Sequence, residues 1–195
     1  MPVVSYVNTS ADVKAETDDC CTSANAVKVV ESLGVKKVIF LPDDYLAKYV
    51  SANTKVEIIS WKGTCEVHEK FTANEINEIK KQNPGIVVIA HPECPPDVIN
   101  ASDFAGSTSG MNEYVKNNQP KKVMMVTECS MSDNVQIENP KVEFIKPCNL
   151  CPHMKRITLP KILDCLTKES NEILIPENLM DKARLSVEKM ALIGR

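Results

Sequence analysis

The amino-acid sequence predicts an α/β fold made of two pseudo-equivalent three-layer α/β/α domains, each with a short parallel sheet. Two observations carry this reading. Short β-branched runs alternate with amphipathic helical stretches, the pattern of strands joined by right-handed crossovers. The pattern is also written twice. Val3-Val4-Ser5-Tyr6-Val7-Asn8 matches Ile86-Val87-Val88-Ile89-Ala90-His91, and Thr22-Ser23 falls on Thr108-Ser109 at an offset of 86. Lys36-Lys37-Val38-Ile39-Phe40 falls on Lys121-Lys122-Val123-Met124-Met125 at an offset of 85. Each copy closes on a loop in which a cysteine precedes a histidine, Cys65-Glu66-Val67-His68 and Cys151-Pro152-His153. The two cysteines are 86 residues apart (151 − 65).

Strands are expected at Val3–Tyr6, Val38–Phe40, Val56–Ile59, Ile86–Ile89, Val123–Val126 and Val142–Ile145, all bounded by Pro, Asn, Asp or charged residues. The first helix, Ser23–Leu33, follows a turn rich in Asp and Thr and sets Ala26, Val27, Val30 and Leu33 at helical spacing. A helix over Asn74–Gln82 stops at Asn83-Pro84, which marks the junction of domain 1–83 with domain 84–195. Ser109–Asn117 repeats the role of the first helix. Leu159–Thr167 and Pro176–Met190 form a helical tail, with Pro176 suited to a helix start.

Composition narrows the class. The chain has 195 residues, 43% of them hydrophobic, and a net charge of −3 with acids and bases interspersed. No basic face points to a nucleic-acid or anionic-membrane binder. No run approaches the about 18 apolar residues of a membrane span, and Met1-Pro2-Val3-Val4-Ser5-Tyr6 is not a secretory signal. A cytoplasmic location is expected. There the eight cysteines should stay reduced, favouring metal ligation or thiol chemistry over disulfides.

In open α/β sheets ligands bind beyond the carboxyl ends of the strands. Those ends carry Tyr6-Val7-Asn8-Thr9-Ser10 in one copy and His91-Pro92-Glu93-Cys94 in the other. The following helices open with Cys21-Thr22-Ser23-Ala24-Asn25 and Gly106-Ser107-Thr108-Ser109-Gly110, whose hydroxyls and free N–H groups suit anions. His91 with Glu93 suits proton transfer. Recurrence at matching places selects Cys65 and Cys151 as metal ligands, with a third thiolate expected from a third copy. Cys148-Asn149-Leu150-Cys151 is also a CxxC, open to zinc, redox or iron–sulfur use, and it leaves Cys148 as a redox partner of Cys151. Cys20, Cys94, Cys129 and Cys165 are expected to be structural. His68 and His153 read as loop residues, Asp43 and Asp44 as solvated surface, and Met111, Met124, Met125 and Met180 as core filler.

The same stretches, with Phe40-Leu41-Pro42-Asp43, Trp61-Lys62-Gly63-Thr64-Cys65 and Cys151-Pro152-His153-Met154-Lys155, resemble quinolinate synthase over essentially the whole chain. The resemblance implies three pseudo-symmetric α/β domains around one [4Fe–4S] cluster, with one cysteine per domain. It also implies condensation of iminosuccinate with dihydroxyacetone phosphate to quinolinate, phosphate and water, on the route to NAD. An L-aspartate oxidase or dehydrogenase would supply the iminosuccinate. Carried over by position, Cys65 and Cys151 hold the cluster. Tyr6, Val7, Asn8 and Ser23 contact iminosuccinate from one domain, and His91, Pro92, Glu93 and Thr108 from the next. Tyr6, His91 and Glu93 are the catalytic candidates. The family's first domain has no counterpart before Tyr6, so a separate first domain or subunit is expected. A rival reading makes the chain a non-catalytic remnant or subunit that binds zinc or acts through the Cys148/Cys151 thiol pair.

Overall fold

The computed structural model describes residues 1–194. The first sheet contains β1 (Val3–Tyr6), β2 (Asp19–Cys21), β3 (Lys37–Leu41) and β4 (Glu57–Ser60), in spatial order β2-β1-β3-β4. The second contains β5 (Val87–Ala90), β6 (Phe104–Ala105), β7 (Lys122–Val126) and β8 (Glu143–Ile145), in order β6-β5-β7-β8. Every pairing is parallel. The α/β fold with two short parallel sheets is therefore the one expected.

Sheet register sharpens the repeat. Val3 pairs with Ile39, and Val88 with Met124. Ile39 and Met124 are 85 apart, so the equivalent of Val3 is Val88, not Ile86. Tyr6 then coincides with His91 and Ser23 with Thr108. Repeated side-chain contacts bear this out. The Val3 N–H donates to Asp18 Oδ2 at 2.7 Å, and the Val88 N–H to Asp103 Oδ2 at 2.8 Å. Lys37 pairs with Glu57 at 2.8 Å, and Lys122 with Glu143 at 3.3 Å.

Connecting helices are α1 (Ala11–Ala15), α2 (Ala26–Ser32), α3 (Asp44–Ala52) and α4 (Ala73–Gln82) in the first half. The second half has α5 (Pro96–Ala101), α6 (Thr108–Asn118), α7 (Cys129–Glu138), α8 (Leu159–Lys168) and α9 (Glu177–Ile193). The crossovers α1, α3, α5 and α7 and the strands β2 and β6 lie in stretches where no helix or strand is expected above. Asp43, read above as solvated surface, is buried, because it is the N-cap of α3 and accepts from the Leu46 N–H at 2.6 Å.

The two halves share their layers. Val4, Val38 and Phe40 pack with Val29, Val30, Leu46 and Val50 of α2 and α3 to form the first core. The far side of that sheet takes α9, whose Ser186 hydroxyl donates to the Lys14 carbonyl and accepts from Cys20 Sγ. In the second sheet Ile89, Val123 and Met125 face α6 and α7 through Met111, Val115 and Val135. Its other face, Val88, Ala90, Met124 and Val126, is covered by Val67, Phe71 and Ile76 from the segment after Cys65. A capping box between Thr72 and Glu75 starts α4, and Ile76 is fully buried on this second sheet. Met111, Met124 and Met125 are core residues as expected, but Met180 is 37% exposed on α9.

Candidate active site

The carboxyl ends of both sheets meet at one cleft. A cavity of about 370 Å³ is lined by Tyr6, Asn8, Pro42, Asp43, Gly63, Thr64, Cys65 and Glu66 from the first half, and by Glu93, Cys151 and His153 from the second. Both cysteines are free and half-buried, and both pack against the same apolar cluster. His153 Nε2 lies 3.0 Å from Glu66 Oε1, tying one cysteine loop to the other.

Each cysteine loop is fixed by its strand end. Gly63 forms a parallel bridge to Asp43, and its carbonyl accepts from the Asp44 N–H at 2.7 Å. A Cβ on Gly63 would lie 2.5 Å from the Pro42 carbonyl oxygen, so only glycine admits this approach. In the second copy Asn149 bridges Glu128 and accepts from the Cys129 N–H at 3.2 Å. That contact sets Cys148 against Cys129, and the two form a disulfide. The expected Cys148/Cys151 thiol pair is thereby corrected: Cys148 is already bonded, Cys151 is free, and not every cysteine of the chain is reduced.

Glu93 is the centre of the charge arrangement. Its Oε2 lies 3.2 Å from His68 Nδ1 and 3.8 Å from His91 Nδ1, and the two imidazoles stack at 4.6 Å between centroids. The His68–Glu93 contact is an ion-pair approach without hydrogen-bond geometry at Nδ1. Burial opposes charge on His68, but the Cys65 sulfur and the Glu93 carboxylate prevail and push its pKa up to about 9. Burial and the neighbouring His68 charge push His91 down to about 4. Glu93 is also buried, yet the two imidazoles hold its carboxyl below the ordinary value. The ground state is thus an ionised Glu93, a charged His68 and a neutral His91. His91 Nδ1 accepts from the Glu93 N–H at 3.4 Å, so its proton sits on Nε2, which donates to Ser23 Oγ at 3.2 Å. Tyr6 has its pKa raised, by burial first and by the Glu93 charge second, and keeps its proton. Burial raises Asp43 to about 6 despite the two N–H groups it accepts from.

Of the residues expected from sequence, Tyr6, Asn8, Glu93, Cys65 and Cys151 share the cavity wall, and His91 and Ser23 meet beside it. Val7 continues the β1 ladder through its N–H to the Cys21 carbonyl, and Pro92 is buried between His91 and Glu93. Thr108 stands exposed on the first turn of α6 and is not among the residues that line this cavity. His68 corrects the loop reading, being 7% exposed with Nε2 2.9 Å from the Thr127 hydroxyl. Its signal in the sequence is the spacing of three residues from Cys65. Cys65, His68 and Glu93 place their ligand atoms within 4.8 Å of one another. Two free thiols with a carboxylate and an imidazole at one cleft are a donor set that fits a thiolate-held metal centre.

Fold and site together define a duplicated α/β protein whose strand-end loops bring thiol, imidazole and carboxylate groups to one cleft. The chain belongs to the quinolinate synthetase A protein family, whose model matches residues 1–192. It is 58% identical over 193 residues to quinolinate synthase 1 of Mesorhizobium japonicum, covering 99% of this chain and 60% of that protein. It is 60% identical over 190 residues to quinolinate synthase of Sinorhizobium fredii, covering 97% and 53%. The quinolinate synthase of Xylella fastidiosa strain Temecula1 is 56% identical over 193 residues, covering 99% and 57%. The chain thus spans a little over half the length of these relatives. Among the described residues, no helix is long and apolar enough to cross a membrane.

Proposed function

We propose that this chain supplies two of the three α/β units of a quinolinate synthase and acts in NAD biosynthesis. In this role iminosuccinate and dihydroxyacetone phosphate condense to quinolinate, with loss of phosphate and water. The observation that carries the reading is Cys65 and Cys151 at equivalent places of a repeat, free and on one cavity with Glu93. They would hold a [4Fe–4S] cluster together with a thiolate from a third unit. Bound by three protein thiolates, such a cluster leaves one iron open as a Lewis acid for a substrate oxygen.

The chain's own groups have definite tasks in this scheme. Tyr6 keeps its proton beside an ionised carboxylate and serves as a proton donor. His91, neutral, orients Ser23 with one nitrogen and accepts from the Glu93 N–H with the other. Should that N–H give way, Nδ1 becomes the basic site. Glu93, kept ionised by His68, faces the cleft as an acceptor for an N–H or hydroxyl of the substrates. The hydroxyl of Ser23 and the start of α6 at Thr108 offer donors to carboxylate or phosphate.

The exposed face of α8 supports a third unit. Thr72 caps α4 and Thr158 caps α8 at an offset of 86, so the two helices are equivalent. Ile76 of α4 is buried on the second sheet, whereas Leu159, Ile162, Leu163 and Leu166 of α8 are exposed. A third sheet fits over that face as the second fits over α4. The test is anaerobic reconstitution of the chain with iron and sulfide, alongside the portion of the Mesorhizobium relative that the chain does not span. Quinolinate should form from the two substrates. Failure to bind iron and to form product under these conditions contradicts the reading.

A further inference from the structure

We propose that Asp43 and Glu128 are positioning residues, each fastening the backbone amide of one cysteine to the helix that starts beside it. The proposal rests on the reading of Cys65 and Cys151 as metal ligands. Asp43 and Glu128 are 85 apart, the offset that also relates Tyr6 to His91, so they are one position of the repeat. Each follows the strand that pairs with the first strand of its sheet and serves as N-cap, Asp43 for α3 and Glu128 for α7. Each is bridged to the loop ahead of its cysteine.

The two carboxylate oxygens divide the work. Asp43 Oδ1 accepts from the Leu46 N–H at 2.6 Å, capping α3, while Oδ2 accepts from the Cys65 N–H at 2.9 Å. Glu128 Oε2 accepts from the Ser130 N–H at 2.8 Å, and Oε1 receives the Cys151 N–H at 3.4 Å, a looser version of the same contact. Capping needs one oxygen, and Ser, Thr or Asn provides it. A second oxygen turned to the cysteine amide goes beyond capping, and it recurs in both copies. Burying an acid is costly unless its oxygens are satisfied, and both acids are at least nine-tenths buried. Anchoring the amide fixes the direction in which Cα–Cβ leaves the loop, and so where Sγ points. The acids thus align the two thiols without touching whatever those thiols hold.

An amide side chain separates clamp from cap, since Asn or Gln offers one acceptor oxygen and puts a donor where the second stood. The experiment compares the wild-type chain with Asp43→Asn, Glu128→Gln and the double variant, by amide-proton exchange in the ¹⁵N-labelled protein and by iron retained after anaerobic reconstitution alongside the portion of the Mesorhizobium relative that the chain does not span. Exchange at Cys65 should quicken about tenfold in Asp43→Asn and at Cys151 in Glu128→Gln, the loss of one charge-assisted hydrogen bond. The Leu46 and Ser130 amides should keep their wild-type rates, and the double variant should retain less than half the wild-type iron. Unchanged cysteine amides overturn the proposal. Equal acceleration at Leu46 and Ser130 overturns it too, since that marks capping alone, and so does failure of both single variants to fold. A wild-type chain that takes up no iron with that portion supplied defeats the ligand reading instead, while the exchange data still decide the clamp.

Discussion

Tyr6 and His91 stand at the same position of the two copies, at the carboxyl end of the first strand of each sheet, and both are held in their uncharged forms. Burial and the Glu93 charge keep Tyr6 protonated, while burial and the His68 charge keep His91 neutral. One position of the repeat thus presents two uncharged hydrogen-bonding groups, a protonated phenol and a neutral imidazole. In the assembly proposed above, Tyr6→Phe and His91→Asn should each lower turnover by about 100-fold or more, the usual contribution of a positioned acid or base. Initial rates of quinolinate formation check this, and wild-type rates in both variants would remove them from the chemistry.

The charge on His68 makes stability depend on pH. Its pKa is raised from 6.5 to about 9, so the stability it contributes is full below about 6.5 and is lost as pH rises through 9. His91 runs the other way. Its pKa is lowered to about 4, so its contribution is full above 6.5 and lost as pH falls through 4. Urea midpoints against pH should show the gap between wild type and His68→Gln closing between pH 6.5 and 9. A gap of the same size at both ends contradicts the assigned charge.

Equivalent helices with unequal burial give a test of packing. Ile76→Ala on α4 empties a fully buried site and should cost about 2–5 kcal/mol. Ile162→Ala on α8, at the same place of the repeat, should change the stability of the chain by about 0.5 kcal/mol or less. Urea unfolding of both variants decides it.

The Cys129–Cys148 disulfide leaves six of the eight cysteines free. Thiol titration of the chain unfolded without reductant should count six, and eight after reduction. Eight before reduction would mean that the Cys148 thiol is available after all.

Much of this was legible in the sequence, and the rest was hidden for identifiable reasons. β1 falls at Val3–Tyr6 as expected, because a buried parallel strand is a continuous apolar run. β2 and β6 escape notice because Asp19-Cys20-Cys21 and Phe104-Ala105 are too short to show a period. Asp43 reads as surface because a charged residue before another charge carries no sign that it caps a helix and turns inward. Cys65 and Cys151 were found through the repeat. His68 was not, because its partners Glu93 and Thr127 belong to the other copy. The Cys129–Cys148 pairing was missed because the Glu128–Asn149 bridge joins strand ends that sequence spacing does not connect.

The proposal that Cys65 and Cys151 share one metal centre is tested most directly by iron and sulfide analysis after anaerobic reconstitution. The chain is taken alongside the portion of the Mesorhizobium relative that it does not span, as wild type and as Cys65→Ala, Cys151→Ala and Cys165→Ala. The account predicts about four irons per assembly in wild type and in Cys165→Ala, the number in a single cubane. It predicts loss of the bound iron in each of the other two. Retention of wild-type iron by both Cys65→Ala and Cys151→Ala would contradict it.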